Sequence, residues 1–145
     1  MTVTLTDAEV AFVKAAPIGR LATASPTGEH DVAPVLCIYR RSLGLFVMGS
    51  RDAERTRRHH NARRNPRASL VFDDLTWEPY QPRGLKVTGS IEVYQADETI
   101  NLGTVGAPVL VVRPERKWSW GIEEPAIDDA GRFSVHLGDG EIATL

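Results

Sequence analysis

Residues 85–94 alternate between apolar and polar side chains. Leu85, Val87, Ile91 and Val93 fall on one side, and Lys86, Thr88, Ser90 and Glu92 on the other. A period of two is the repeat of a strand with one buried face and one wet face. Shorter strand-like runs recur at 18–24, 30–39, 45–48, 68–72, 108–112 and 132–137, with a bend or bulge expected at Pro34. Turn-forming clusters, Ser25-Pro26-Thr27-Gly28 and Arg40-Arg41-Ser42-Leu43-Gly44, divide the first three runs. These three read as an antiparallel meander. Six or seven strands at regular spacing predict a mainly β fold with flanking helices, a small antiparallel barrel. The 145 residues suit a single domain, 1–145.

Two segments break the strand pattern. Thr6-Asp7-Ala8-Glu9 is a capping box, in which a Thr oxygen and a Glu three residues on satisfy exposed N–H groups. It predicts a short helix over 6–16, ended by Pro17. Residues 51–64 read as a second helix, stopped by Asn65-Pro66. Residues 73–82, rich in Pro and aromatics, read as a loop. Residues 97–107 leave room for a helical turn, and 123–130 form an acidic loop.

The formal net charge is −2, so the chain as a whole does not call for nucleic acid or an anionic membrane. The lone cysteine, Cys37, excludes an internal disulfide and a thiolate metal framework. It lies in the apolar run Val35-Leu36-Cys37-Ile38-Tyr39 and reads as a buried core thiol. Residues 1–5 lack the basic and apolar regions of a signal peptide, and no apolar run approaches the ~18 residues of a membrane span. A cytoplasmic protein is the expectation.

Charge is unevenly spread. Residues 51–67 hold Arg51, Arg55, Arg57, Arg58, Arg63, Arg64 and Arg67 against Asp52 and Glu54, a local charge of +5 that leaves −7 elsewhere. Ala53 and Ala62 are the only apolar residues of the expected helix, so packing holds it weakly. Guanidinium forks match phosphate oxygens, and a helix N-terminus adds N–H donors. Thr56-Arg57-Arg58 offers a hydroxyl and two guanidinium groups together. A solvated helix whose Arg stems cover the barrel wall is a second reading. A nucleic-acid contact patch is a third, on thin support from one short helix.

Thr56-Arg57-Arg58 followed by Asn65-Pro66-Arg67-Ala68-Ser69-Leu70-Val71-Phe72 resembles the pyridoxamine 5′-phosphate oxidase-like split-barrel family. There a Ser or Thr with two basic residues precedes an Asn-Pro-Arg and an apolar strand. Ile18-Gly19-Arg20-Leu21-Ala22-Thr23, residues 28–34 and Pro82-Arg83-Gly84-Leu85-Lys86-Val87-Thr88-Gly89 are similar to further parts of that outline. Arg113-Pro114 with Trp118-Ser119-Trp120-Gly121 is most similar to the branch that uses the deazaflavin coenzyme F-420. The resemblance implies a split β-barrel and a homodimer with the cofactor at its interface. It implies a hydride transfer between F-420, or alternatively FMN, and a small organic substrate. Thr56, Arg57 and Arg58 would hold the cofactor phosphate. Backbone at Val35, Leu36, Cys37, Met48 and Gly49 would line the ring system, and Arg83 and Trp120 would approach from the partner subunit. Gly84 stands where the oxidases carry a Gln, which departs from them and agrees with the deazaflavin branch. A non-catalytic binder of flavin, deazaflavin or haem on the same barrel is the alternative function, and a nucleic-acid or protein interaction module using the basic helix is the second.

Hydride transfer asks little of side chains, because the cofactor carries the reaction. No catalytic dyad is evident; Tyr39, His30 and Tyr80 are candidate proton donors. Adjacent His59 and His60 diverge on a helix without a carboxylate or thiol at i+4, so no metal is expected. Asp73-Asp74 reads as a loop cap and Ser134-Val135-His136 as strand alternation. Trp118 and Trp120 face the same way if their segment is extended, filling a core or interface or stacking on the cofactor.

Overall fold

The structure is a computed structural model that describes residues 2–49, 53–138 and 141–144. Its helices are α1 (Asp7–Ala15) and α2 (Arg57–Arg64), the latter preceded by a 3₁₀ turn at Ala53–Arg55. Its strands are β1 (Ile18–Ala24), β2 (His30–Arg40), β3 (Leu45–Gly49), β4 (Arg67–Trp77), β5 (Tyr80–Gln95), β6 (Pro108–Trp120), β7 (Ser134–Leu137) and β8 (Ile142–Thr144). They lie in the order β3-β2-β1-β4-β5-β6-β7-β8, all antiparallel. An additional β3–β6 pairing, Phe46↔Val112 to Met48↔Leu110, closes β1–β6 into a ring. The expected barrel therefore has six strands, and β7–β8 extend it as an outlying hairpin.

The alternation in β5 sets the barrel wall. Leu85, Val87 and Ile91 point inward, buried with Leu21, Phe46, Met48, Leu70, Phe72, Leu110 and Val112. Each such side chain contributes about 1.5–3 kcal/mol relative to exposure. The unbroken run Leu45-Phe46-Val47-Met48 is buried on both faces. Phe46 and Met48 join the barrel core, while Leu45 and Val47 join Val109, Val111, Ala96 and Ile100 in a second cluster outside it. Residues 97–107, expected to leave room for a helical turn, instead cover this outer cluster through Ile100 and Leu102. The Asp97 carboxylate accepts from the N–H groups of Thr99 (2.8 Å) and Ile100 (2.7 Å), and Gly103 and Gly106 adopt φ of 97° and 89°. Left-handed glycines and an Asp-closed turn compete with helix.

Several boundaries move. The expected loop over 73–82 is strand almost throughout: β4 and β5 form a hairpin with Asp74↔Arg83 and Trp77↔Tyr80 in register. Asp73 and Asp74 are not loop caps. Asp73 accepts from Arg20 at 2.6 Å, and Asp74 pairs with Arg83 through two bonds of 2.8 and 2.6 Å. These cross-strand ion pairs extend a ladder that composition alone assigns to loop. β6 runs on through Trp118 and Trp120. It bends where the register shifts between Thr88 and Gly89, and a Cβ at Gly89 would collide with the Arg113 carbonyl. Pro34 causes no bulge, since β1 and β2 pair without interruption from Ile18↔Leu36 to Ala24↔His30. β3 pairs only with residues 36–40 of β2, so Pro34 sits where the strand has one neighbour and its missing N–H is tolerated.

The helices occupy opposite ends of the barrel. α1 carries the expected capping box: Glu9 N–H donates to Thr6 Oγ1 (3.2 Å) and Thr6 N–H to Glu9 Oε1 (2.9 Å). Phe12 and Val13 enter the core at the end where β1 starts. α2 sits where β1 finishes, with Asn61 Nδ2 donating to Thr23 Oγ1 (3.0 Å) and Asn65 Nδ2 to the Ser25 carbonyl (3.4 Å). Among the described residues no helix is long and apolar enough to cross a membrane.

Candidate functional site

The second helix begins at Arg57 because Thr56 caps it. Arg51 and Asp52, where the sequence pattern starts that helix, lie outside the described residues. Thr56 Oγ1 donates to the Ala53 carbonyl (2.7 Å) and accepts from His59 N–H (3.4 Å). Because that hydroxyl proton is already used, His59 Nδ1–H donates to the same oxygen at 3.0 Å. The Thr56 hydroxyl is thus committed to shaping the start of the helix. The buried face of α2 is His59, Asn61 and Ala62, so polar groups stand where an apolar stripe is missing. His59 is fully buried and its Nε2 has no partner among the described residues. Burial, reinforced by the guanidinium groups of Arg58 and Arg63, lowers its pKa from 6.5 to about 4. His60 is exposed, so the two imidazoles diverge.

The arginines divide into two groups. Arg20, Arg41, Arg67, Arg83, Arg113 and Arg132 each pair with a carboxylate: Asp73, Asp7, Glu115, Asp74, Glu92 and Asp128. Arg40 donates to the Asn101 carbonyl at 2.7 Å, and Arg116 lies over the Trp118 ring. Arg55, Arg57, Arg58, Arg63 and Arg64 make no hydrogen bond or ion pair among the described residues. Five guanidinium groups without an ion-pair partner among the described residues, on one helix and the turn before it, form a donor set suited to an anion.

The strand residues named with them are brought together in part. Leu36 faces Gly49 and Cys37 faces Met48 across β2 and β3, just before the chain enters the α2 region. Val35, Cys37 and Met48 point into the barrel, and burial pushes the Cys37 thiol far up. Leu36 points out, half exposed. Leu102 packs over Gly49, where a Cβ would lie 2.9 Å from its Cδ1. Arg83 and Trp120 do not share a face. Arg83 is fixed by Asp74, 5.0 Å from the Phe12 ring centroid at the α1 end. Trp120 and Trp118 do share one, on the outside of the sheet, where Trp120 pairs with Gly84 and covers it. A Cβ at Gly84 would enter the indole ring, so that ring takes the space a longer residue 84 would use. The candidate proton donors stay apart: Tyr39 packs on Phe46, Tyr80 stands by Trp77 at the hairpin tip, and His30 is exposed at the end of β2.

Sequence reasoning misses the burial of His59, the Asn61–Thr23 bond and the packing of Trp120 on Gly84. Helical phase could have suggested the first, since His59 lies three residues after the cap and His60 one step around. The other two depend on tertiary neighbours.

The model of the family described as pyridoxamine 5′-phosphate oxidase matches residues 5–106. The chain is 27% identical over 119 residues to a 5a,11a-dehydrotetracycline/5a,11a-dehydrooxytetracycline reductase of Streptomyces rimosus, covering 81% of this chain and 84% of the reductase. Among solved structures it is similar to a putative pyridoxamine 5′-phosphate oxidase of Lactobacillus delbrueckii, with a TM-score of 0.62 and 18% identity over 81% of this chain and 98% of that one. It is also similar to an FAD binding protein of Mycobacterium smegmatis, with a TM-score of 0.58 and 18% identity over 78% and 91% of the two chains. At those identities the two structures speak for the fold. With the family match spanning most of the ring and α2, the chain belongs to the pyridoxamine 5′-phosphate oxidase family of split barrels.

Proposed function

We propose that this protein is an oxidoreductase that transfers a hydride between coenzyme F-420 and a small organic substrate, with FMN as the alternative cofactor. The observation that carries the reading is the set of arginines on and before α2 that make no ion pair among the described residues, inside the region that matches the family. Arg57 and Arg58 would take the cofactor phosphate. Thr56 acts by setting the helix start from which they project. The cofactor supplies hydride chemistry when bound; the protein binds and orients it and keeps water from the reacting face. The reductase relative supports the reaction class, and Gly84 in place of Gln supports the deazaflavin over FMN.

A homodimer is part of the same proposal. The outer face of β1 and β2 exposes Ile18, Val32, Leu36 and Ile38, each between 38% and 66% accessible. Ile18 and Leu36 are direct cross-strand neighbours, so these residues make a contiguous apolar surface fit for a second copy. That surface includes Leu36, beside Gly49, so the interface would lie next to the proposed ring site.

The test is the double variant Arg57→Ala/Arg58→Ala. Removing two charge-assisted hydrogen bonds to a phosphate raises the Kd by about 100-fold or more. The expected outcome is that weakening with an unchanged thermal unfolding midpoint. Unchanged cofactor affinity would remove the phosphate assignment.

A further inference from the structure

The β4–β5 hairpin runs on past the barrel as an arm. β1 pairs with β4 no further toward its own start than Arg20↔Val71, yet β4 and β5 stay in register to Trp77↔Tyr80. The inner side of the arm is occupied. Asp74 holds Arg83 over the Phe12 ring, and Gln81 Nε2 donates to the Ile127 carbonyl at 3.1 Å. The outer side is bare. Alternation along β4 turns Leu75 and Trp77 the same way as Asp73, which meets Arg20 on the outer face of β1. Tyr80 lies opposite Trp77, with ring centroids 5.8 Å apart. Trp77 is 76% exposed, more than Ile18, Val32, Leu36 or Ile38. The apolar face of β1 and β2 therefore continues onto the arm.

On the other side of β1, β2 also runs on. Its pairing with β1 ends at Ile18↔Leu36, and beyond that point Pro17 and α1 stand beside it, with Cys37 N–H donating to the Pro17 carbonyl at 2.8 Å. An open groove of about 440 Å³ remains there, walled by Val10, Val13, Pro17 and Ile38. Lys14, exposed on α1, lines it and has no ion-pair partner among the described residues. Arg41, the other cation at the groove, is paired with Asp7. At the arm, Asp73 and Asp74 are paired, and Glu78 at the tip is the acid without a partner among the described residues. Arm and groove thus lie at one end of the barrel, on opposite sides of β1. A two-fold axis along β1 in the outer face exchanges those sides. It brings the arm of each copy onto the groove of the other, the reciprocal match that a symmetric dimer requires.

We propose that the arm clasps a second copy of this chain. Trp77 of each copy enters the groove between α1 and β2 of the other, and Glu78 meets Lys14 there. A tryptophan side chain offers about 150–250 Å² for burial and is among the residue types that most often anchor interfaces. The remaining opposite charges at tip and groove fix how far the arm slides in. The clasp rests on the homodimer reading, to which it adds an anchor beyond Ile18 and Leu36; it does not rest on the cofactor.

Sedimentation equilibrium of the full chain over a concentration series tests it. The wild type is expected to dimerise, and Trp77→Ala should raise the dissociation constant about 30-fold. Its circular dichroism should not change, because the indole is exposed within the single chain. Glu78→Lys and Lys14→Glu should each weaken the dimer about five-fold, and the chain carrying both should return to within about two-fold of the wild type. Leu36→Asp, on the face of β1 and β2, separates the clasp from the homodimer reading. A dimer broken by Leu36→Asp but indifferent to Trp77→Ala would overturn the clasp and keep the homodimer. A charge-swapped chain weaker than either single variant would overturn the pairing of Glu78 with Lys14. A wild type that stays monomeric at every concentration would sink the homodimer reading and the clasp with it.

Discussion

His59 is the residue on which the sequence is least informative and the structure most. In the sequence it is one of two adjacent histidines beside arginines. In the fold it is buried, holds Thr56 through Nδ1 and leaves Nε2 without a partner among the described residues. Its folded pKa of about 4 lies below the ordinary 6.5, so the unfolded chain binds the proton more readily. Stability from this group is fully present above about pH 6.5 and is lost as pH falls toward 4, by up to about 3 kcal/mol. Urea unfolding of the wild type and His59→Gln at pH 7 and pH 4.5 checks this. The wild type should lose more stability than the variant between the two; parallel losses would show that His59 does not titrate as described. The clustering of Thr56, Arg57 and Arg58 is legible in the sequence because it is a matter of residue type and spacing. The inward turn of His59 is not, because only the packing of α2 against β1 decides which of two equivalent side chains is buried.

At the scale of elements, local signals are legible and long-range pairing is not. The capping box marks α1, and period-two alternation marks the core of β5. The β4–β5 hairpin has the composition of a loop because Pro and aromatic residues obscure its alternation. What reveals it is the unbroken register from Arg67↔Ser90 to Trp77↔Tyr80, in which Asp74 pairs with Arg83 across the hairpin while Asp73 reaches Arg20 on β1. The docking of α1 has a similar origin. Lys117 Nζ, on β6, donates to Glu9 Oε1 at 2.6 Å and to the Thr4 carbonyl at 2.8 Å. Both side chains of the Glu9–Lys117 pair are almost entirely buried, and Glu9 Oε2 has no partner among the described residues. Removing one partner strands the other charge, so Lys117→Met should cost about 3 kcal/mol. Adding Glu9→Leu should recover a substantial part, because the stranded carboxylate is then gone. Chemical denaturation of the wild type, Lys117→Met and the double variant measures this; a double variant no more stable than Lys117→Met would show that the pair contributes little beyond packing.

For the whole molecule, the order of strands, the closure through β3 and β6 and the plugging of each end by a helix leave three unusual surfaces. One is the arginine set at α2, one is the apolar face of β1 and β2, and one is the aromatic arm of β4 and β5. Composition reveals the first. The second and third need the register, because Ile18, Leu36 and Trp77 become neighbours or surface features only once strands are paired. The barrel is legible from strand spacing, and the family from the order of short motifs along most of the chain. The proposed anion-binding role of α2 joins these observations, and cofactor uptake tests it most directly. Cofactor-free protein is titrated with F-420 and, separately, with FMN, and binding is followed by cofactor fluorescence. The expected result is tight, saturable binding of F-420 with FMN markedly weaker. Failure of both cofactors to bind would contradict the account at its centre.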